Sequence, residues 1–314
     1  MMAPPIRPGL LVLCDLFAED FAEFEKHFDV ISRPRADVET IRSLAAGVQG
    51  VLTIGAIGLS REAMEALPDL RIVLNLGAGH ERVDVVAASE MGIRVTTGGG
   101  LNSETVADHA MGLLLSVIRE IPRADRTLRE GDWSGARTRM TTLSGMTVGI
   151  LGLGDIGLAV ARRAEAFGTT ILYTNRKPRP DVAYRFVPDL HELAAASDAL
   201  IVSCPGGPAT FHLVDAGVME ALGPDGYLVN VSRGSVVDTR DLIAALQART
   251  LKAAALDVFE NEPDVPSALT QLPNVVLTPH VGGTSIPAIS ATVRRAISNF
   301  MAAINGGELS GQIA

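Results

Sequence analysis

Side chains that can hold an anion or move a proton follow successive apolar runs in the last third of the chain. Arg233 stands just past the run in "LVNVSRGSVVD", Asp257 and Glu262 just past the next in "ALDVFENEP", and His280 past the last in "VVLTPHVGG". A guanidinium can grip a carboxylate with two hydrogen bonds and polarise the carbonyl beside it. An imidazole titrates ordinarily at ~6.5, and a neighbouring carboxylate favours the protonated form that a general acid requires. Taken singly, each residue has an ordinary alternative: Arg233 pairing at a strand end, Glu262 a solvated acid before Pro263, His280 a loop histidine. Their joint occurrence favours chemistry.

These residues can meet only if the runs before them are parallel strands that end on one edge of a sheet. The runs "TVGILGLG", "TILYTNR", "ALIVSCP", "GYLVNVS", "KAAALDV" and "NVVLTPH", separated by helical stretches, fit a doubly wound sheet, in which ligands bind beyond the carboxyl ends of the strands. The first run opens into GxGxxG at Gly152, Gly154 and Gly157, with Leu153, Asp155 and Ile156 completing the loop. Glycines there permit a tight turn, close approach of a pyrophosphate to the backbone, and close packing of helix on strand. A lone GxGxxG is weak; one between an apolar strand and the amphipathic "LAVARRAEAF", with a second strand following, identifies a dinucleotide site. After that second strand an acid would accept from a free ribose 2′-hydroxyl, but the chain offers Asn175, Arg176 and Lys177. Cations there favour a 2′-phosphate, hence NADP(H) with NAD(H) the weaker alternative; solvated loop charge is the competing explanation.

The first third, with "LLVLCDL", "FDVISR", "VQGVLTIG", "LRIVLNLG" and "IRVTTGG" as strands, reads as a second, smaller sheet. Three glycines, Gly98 to Gly100, precede a long helix that Asn102 or Ser103 can cap and whose apolar face includes Ala107, Ala110, Met111, Leu114 and Val117. The boundary is placed there. "REGDWSGARTRMTTLSG" lacks periodicity and carries the only tryptophan, Trp133, so it reads as an arm or long loop, either packed on the surface or serving a subunit interface. A last helix from about Pro287 to Ile304 stops at "NGG".

The 314 residues, 47% hydrophobic, are enough for two cores. A net charge of −9 disfavours nucleic acid and anionic membranes as partners, so any anion must meet a local basic cluster. Cys14 and Cys204 lie far apart with no metal or redox spacing and read as buried thiols. "MMAPPIRPGL" has no apolar core of signal-peptide length, and no run is long enough to span a membrane, so a cytoplasmic enzyme is expected.

In order and spacing, GLGDIG and the Arg233, Asp257–Glu262 and His280 motifs resemble the D-isomer-specific 2-hydroxyacid dehydrogenase family over nearly the whole chain, and most of all its NADPH-preferring glyoxylate/hydroxypyruvate reductases. The resemblance implies two Rossmann-like α/β domains, with a nucleotide domain at 101–284 inserted in a substrate domain made of 1–100 and 285–314. It implies that Arg233 takes the substrate carboxylate and carbonyl, that Glu262 orients His280, and that His280 carries the proton. It puts Cys204, Pro205 and Thr210 by the adenosine or its phosphates, Val231 on the nicotinamide side and Asp257 at the carboxamide, and counts Ser232, His280 and Gly282 among the cofactor contacts. In "LNLGAGHERVD", Ala78 and Gly79 would offer backbone N–H groups to the substrate, as small residues in a tight loop can. A homodimer paired through the nucleotide domains is also implied.

The sequence departs from the commoner family pattern at Gly98 and Gly99, where many relatives have a Thr-Pro-Gly turn, and at "GAGHERVD", where others place an acid sooner. Hinge and side-chain specificity are the properties these departures touch. The expected activity is reduction of a small 2-keto acid of the glyoxylate or hydroxypyruvate type to the D-2-hydroxy acid. The alternatives are a bulkier 2-ketoaldonate or arylpyruvate and, in another class, a nucleotide-sensing interaction protein.

Overall fold

The computed structural model describes residues 7–314; the first six residues, which begin the segment read above for a signal peptide, lie outside it. The described chain forms two compact units, one of residues up to Asn102 together with Ser285–Ala314, the other Ser103–Thr284.

In the first unit, β1 (Gly9–Val12), β2 (Asp29–Ser32), β3 (Val48–Thr53), β4 (Ile72–Asn75) and β5 (Arg94–Thr97) form a parallel sheet ordered β2-β1-β3-β4-β5. Successive residues of a strand face opposite sides of a sheet. Here both sides are covered: Leu11, Val51, Val73 and Val95 enter one core, while Leu10, Leu52, Ile72 and Leu74 enter another with Phe300 of helix Ile286–Asn305. Strands buried on both faces must be apolar throughout, which is why they read as unbroken runs. The helix that supplies Phe300 starts at Ser285, whose hydroxyl accepts from Ala288 N, and ends at Gly306 in the left-handed conformation (φ 74°).

The second unit carries β6 (Thr147–Leu151), β7 (Thr170–Thr174), β8 (Arg185–Phe186), β9 (Ala199–Val202), β10 (Tyr227–Asn230), β11 (Ala253–Leu256) and β12 (Val275–Leu277), ordered β12-β11-β10-β9-β6-β7-β8 and parallel throughout. Six of these are the runs expected from the sequence. The seventh, β8, has two residues and is too short to leave a periodic signal. The chain moves from β6 toward β7 on one side and returns to β9 on the other, so the loops after β6 and β9 flank the switch point, where such sheets bind ligands. Ala199 and Ile201 face one core and Leu200 and Val202 the other, so this sheet too is covered on both faces.

Helix Ser103–Ile118 buries Ala107, Ala110, Met111, Leu114 and Val117 against Val160, Ala161 and Ala164 of helix Asp155–Ala166. A further helix comes next, before the stretch 129–145 read as an arm or long loop, and that stretch holds one short turn. Helix Ile121–Arg129 begins after Glu120 with Pro122 in its first turn, and a single turn, Trp133–Ala136, is capped by Asp132. Ion pairs Arg123–Glu120 and Arg129–Asp125 support this helix where core contacts do not. None of its residues is buried, and Ile121, Leu128 and Trp133 are 51%, 48% and 65% exposed. No described helix is long and apolar enough to cross a membrane.

Candidate active site

The glycine loop sits where β6 gives way to helix Asp155–Ala166. Gly152 has φ 97°, and a Cβ on it would lie 2.5 Å from the Cys204 backbone, so the turn and the neighbouring strand end both demand glycine. A Cβ on Gly157 would fall 2.2 Å from Gly152 O, which holds helix and loop together. Gly154, by contrast, has nothing within 4 Å of its Cβ position. That open side, at the start of a twelve-residue helix, is a cradle suited to a pyrophosphate, so the loop fits a dinucleotide. Asp155 and Ile156 open the helix, Ile156 packing on the core.

The Leu153 peptide is held at both ends from the far side of the loop. Its N–H donates to Asn175 Oδ1 at 2.7 Å, and its carbonyl accepts from Arg179 Nη1 at 3.0 Å. Arg179 also pairs with Asp181, and its own N–H donates to Tyr173 Oη at 2.8 Å. Asn175, expected from the sequence to face a ribose, is thus also a brace for the loop, and Arg179 is a brace that the sequence reading missed. Arg176 and Lys177 are exposed and make no hydrogen bond or ion pair among the described residues. Cys204, Val231 and Ser232 are buried; Pro205 is exposed and accepts from the Thr210 hydroxyl at 2.8 Å. Burial pushes the Cys204 thiol up to about 11 and that of Cys14 to about 12, so neither is a nucleophile near neutrality.

The structure brings Glu262 and His280 together: Nδ1 of His280 lies 2.7 Å from Glu262 Oε2. The other carboxylate oxygen accepts from Phe259 N at 3.0 Å, fixing the carboxylate plane. Burial opposes ionisation of Glu262, but the hydrogen bonds from His280 and Phe259 and the nearby charges of His280 and Arg233 outweigh it and hold the carboxyl below its usual range. Arg233 follows β10 on a turn that the buried Asn230 braces, accepting from Ser232 N and donating to Arg233 O, each at 3.0 Å. His280 itself has φ 53°, a conformation that a non-glycine residue adopts only when its surroundings impose it.

Asp257 supplies that constraint. Its carboxylate, 2% exposed, accepts from the Thr278 hydroxyl at 2.6 Å, Val281 N at 2.9 Å and Gly282 N at 2.8 Å, while its backbone carbonyl accepts from His280 N at 2.8 Å. His109, from helix Ser103–Ile118, reaches Thr278 Oγ1 at 3.0 Å and Asp257 Oδ1 at 3.3 Å. Burial works against the Asp257 charge, yet these donors hold its carboxyl below the ordinary value. The pairing therefore steadies the His280 loop above the ordinary carboxylate range and is lost as acid titrates Asp257 below it. A second bracket joins the segments that follow Arg233 and precede Glu262: His212 lies 3.0 Å from Asp238 and 3.1 Å from Glu260, and Glu260 caps Thr239 N at 2.8 Å. Neither His109 nor His212 carried a sequence signal, because their partners lie beyond any local spacing.

In the first unit, Ala78 and Gly79 stand on the loop after β4, Ala78 exposed and Gly79 half-buried. Asn75, at the end of β4, donates to Gly77 O at 2.7 Å and Gly79 O at 2.8 Å.

Residues 111–282 match the family model described as D-isomer specific 2-hydroxyacid dehydrogenase, NAD binding domain. The chain is 41% identical over 307 residues to a glyoxylate/hydroxypyruvate reductase A of Arabidopsis thaliana, covering 96% of this chain and 97% of that one. It is 39% identical to a hydroxyphenylpyruvate reductase of Plectranthus scutellarioides over 305 residues, 96% and 97% of the two chains. Among solved structures, an NADPH-dependent glyoxylate/hydroxypyruvate reductase of Sinorhizobium meliloti, in complex with NADP and malonate, superposes with TM-score 0.91 at 41% identity over 98% of this chain and 97% of that one.

Proposed function

The chain belongs to the D-isomer-specific 2-hydroxyacid dehydrogenase family, and is thus an NAD(P)-dependent oxidoreductase acting on 2-keto acids, within which we propose an NADPH-dependent reductase of glyoxylate, hydroxypyruvate or a similarly small substrate. The observation that carries the mechanism is the Glu262–His280 pair at 2.7 Å, on the unit that also holds the glycine loop and Arg233. Glu262 occupies Nδ1 of the imidazole, which leaves Nε2 to face the substrate with the proton. Arg233 binds the carboxylate and draws charge from the keto oxygen. Gly152 to Gly157 would hold the pyrophosphate of a reduced dinucleotide, whose nicotinamide would supply the hydride for the keto carbon. As the carbonyl oxygen gains charge, His280 protonates it; Glu262 stabilises the imidazolium before transfer and keeps the ring in place after it. Asp257 holds the His280 loop and retains acceptor capacity for the carboxamide.

Preference for NADPH rests on Arg176 and Lys177, two cations at the expected ribose position with no partner among the described residues. Small substrates are favoured by the similarity to the glyoxylate/hydroxypyruvate reductases. A bulkier arylpyruvate is the second reading, favoured by the similarity to the hydroxyphenylpyruvate reductase. A panel of 2-keto acids run with NADPH and NADH decides between them. Glyoxylate or hydroxypyruvate should lead phenylpyruvate and 2-ketogluconate in kcat/KM by about tenfold or more, the scale on which pocket shape discriminates; a lead for phenylpyruvate overturns the small-substrate assignment.

The exposed apolar side chains Ile121, Leu128 and Trp133 support a homodimer, in which a second copy of the chain covers them. Light scattering at micromolar concentration should give twice the chain mass. Trp133→Glu should shift the protein toward a monomer, and a monomeric wild type overturns the assignment.

A further inference from the structure

Asn75 is 3% exposed at the end of β4, and both hydrogens of its carboxamide are committed, one to Gly77 O and one to Gly79 O. The Gly77–Ala78 and Gly79–His80 peptides are trans, so each carbonyl and the N–H that follows it point in opposite directions. Drawing the carbonyls of Gly77 and Gly79 toward Asn75 therefore turns the N–H groups of Ala78 and His80 the other way, onto the outer side of the loop. Neither N–H finds an acceptor among the described residues. Two backbone donors aimed to one side form a receptacle for an anion.

The oxygen of the same carboxamide argues that the side chain is there for its donors. Asn75 Oδ1 is buried and accepts from no group among the described residues. An unmade hydrogen bond at a buried oxygen is unfavourable, and an apolar residue of similar size avoids it. The Gly77 carbonyl is held a second time, since Gly98 N donates to both Asn75 O and Gly77 O at 3.0 Å.

We propose that Asn75 is a positioning residue for substrate: its two hydrogen bonds to the Gly77 and Gly79 carbonyls aim the Ala78 and His80 N–H groups at the carboxylate of the 2-keto acid. This rests on the reading of that loop as the substrate loop. Asn75 touches no substrate itself, so its effect must appear in recognition of the carboxylate and not in the chemistry of the carbonyl.

The test compares pyruvate with pyruvamide, which keeps the carbonyl and lacks the charge, as a ratio of kcat/KM values. Asn75→Leu should cut the wild-type preference for pyruvate by about tenfold, the scale of one charge-assisted hydrogen bond, with the NADPH Kd unchanged and kcat/KM for pyruvamide, whose amide oxygen accepts only neutral hydrogen bonds, lowered much less. A merely structural role lowers both substrates alike, and that result overturns the proposal. Asn75→Asp, equal in volume but turning an oxygen toward two carbonyls, should cut the ratio further and serves if the leucine variant does not fold. Ala78→Pro removes one of the N–H groups outright. If Ala78→Pro lowers the ratio and both Asn75 variants keep it, the substrate loop stands and the role of Asn75 falls; if none of the three lowers it, the loop reading itself fails.

Discussion

His280→Ala should lower kcat for keto-acid reduction by about 10²–10⁴-fold, the usual contribution of a positioned general acid, while NADPH affinity stays within a factor of about two. The ring stands on a loop that Asp257 pins through Thr278, Val281 and Gly282, so truncating it removes the proton donor without releasing the loop. Glu262→Gln should act differently. In the reductive direction the protonated ring donates and the carboxylate at 2.7 Å orients it, so Glu262→Gln should lower kcat by less than His280→Ala does. The Glu262 carboxyl lies below its usual range, so in the wild type its support is present above that range and lost only as pH falls through the lowered value; Glu262→Gln should lack that acid limb. The measurement is kcat against pH for wild type and Glu262→Gln, with NADPH affinity determined separately. A wild-type acid limb in Glu262→Gln removes Glu262 from its role, and near-normal turnover by His280→Ala overturns the mechanism.

Arg176→Ala should raise KM for NADPH by about tenfold and leave KM for NADH nearly unchanged. A hydrogen bond to a charged group is worth about 1.5–3 kcal/mol, but Arg176 is exposed and its charge is screened by solvent, so the lower end of that range applies. Raising ionic strength should narrow the difference between the cofactors in the wild type and change little in the variant. Equal effects on the two cofactors would show that the cations are solvated surface charge and that the preference, if any, comes from elsewhere.

What the sequence disclosed, and what it did not, follows from the range of the interactions. Strands buried on both faces must be apolar at every position, so β6, β7 and β9 to β12 announce themselves, and a tight turn at Gly152 leaves a glycine where any other residue would collide with Cys204. Motif spacing placed Arg233, Glu262 and His280 at strand ends, but only the folded chain puts Nδ1 against a carboxylate eighteen residues earlier. The supports were illegible for the same reason. His109 reaches Thr278 across 169 positions, and Asn75 acts on carbonyls that every residue carries, so neither leaves a pattern of side-chain types. The helix at Ile121–Arg129 spaces Ile121, Ala124 and Leu128 at helical intervals, but its nine residues are mostly polar and none is buried, so the signal is too short to stand apart from the long helix before it.

The brace between Asn175 and the Leu153 N–H bears on how readily this enzyme could change its dinucleotide. The contact uses only the side-chain oxygen of Asn175, and an aspartate has an oxygen in the same place. The glycine loop would keep its shape if residue 175 became an acid, while a negative charge would appear where the side chain is now neutral. The oxygen that braces the loop is common to both side chains, so the charge at this position can change without loss of the architecture. Asparagine and aspartate codons differ by a single base, so one substitution sets an acid beside Arg176 and Lys177 and leaves the brace intact.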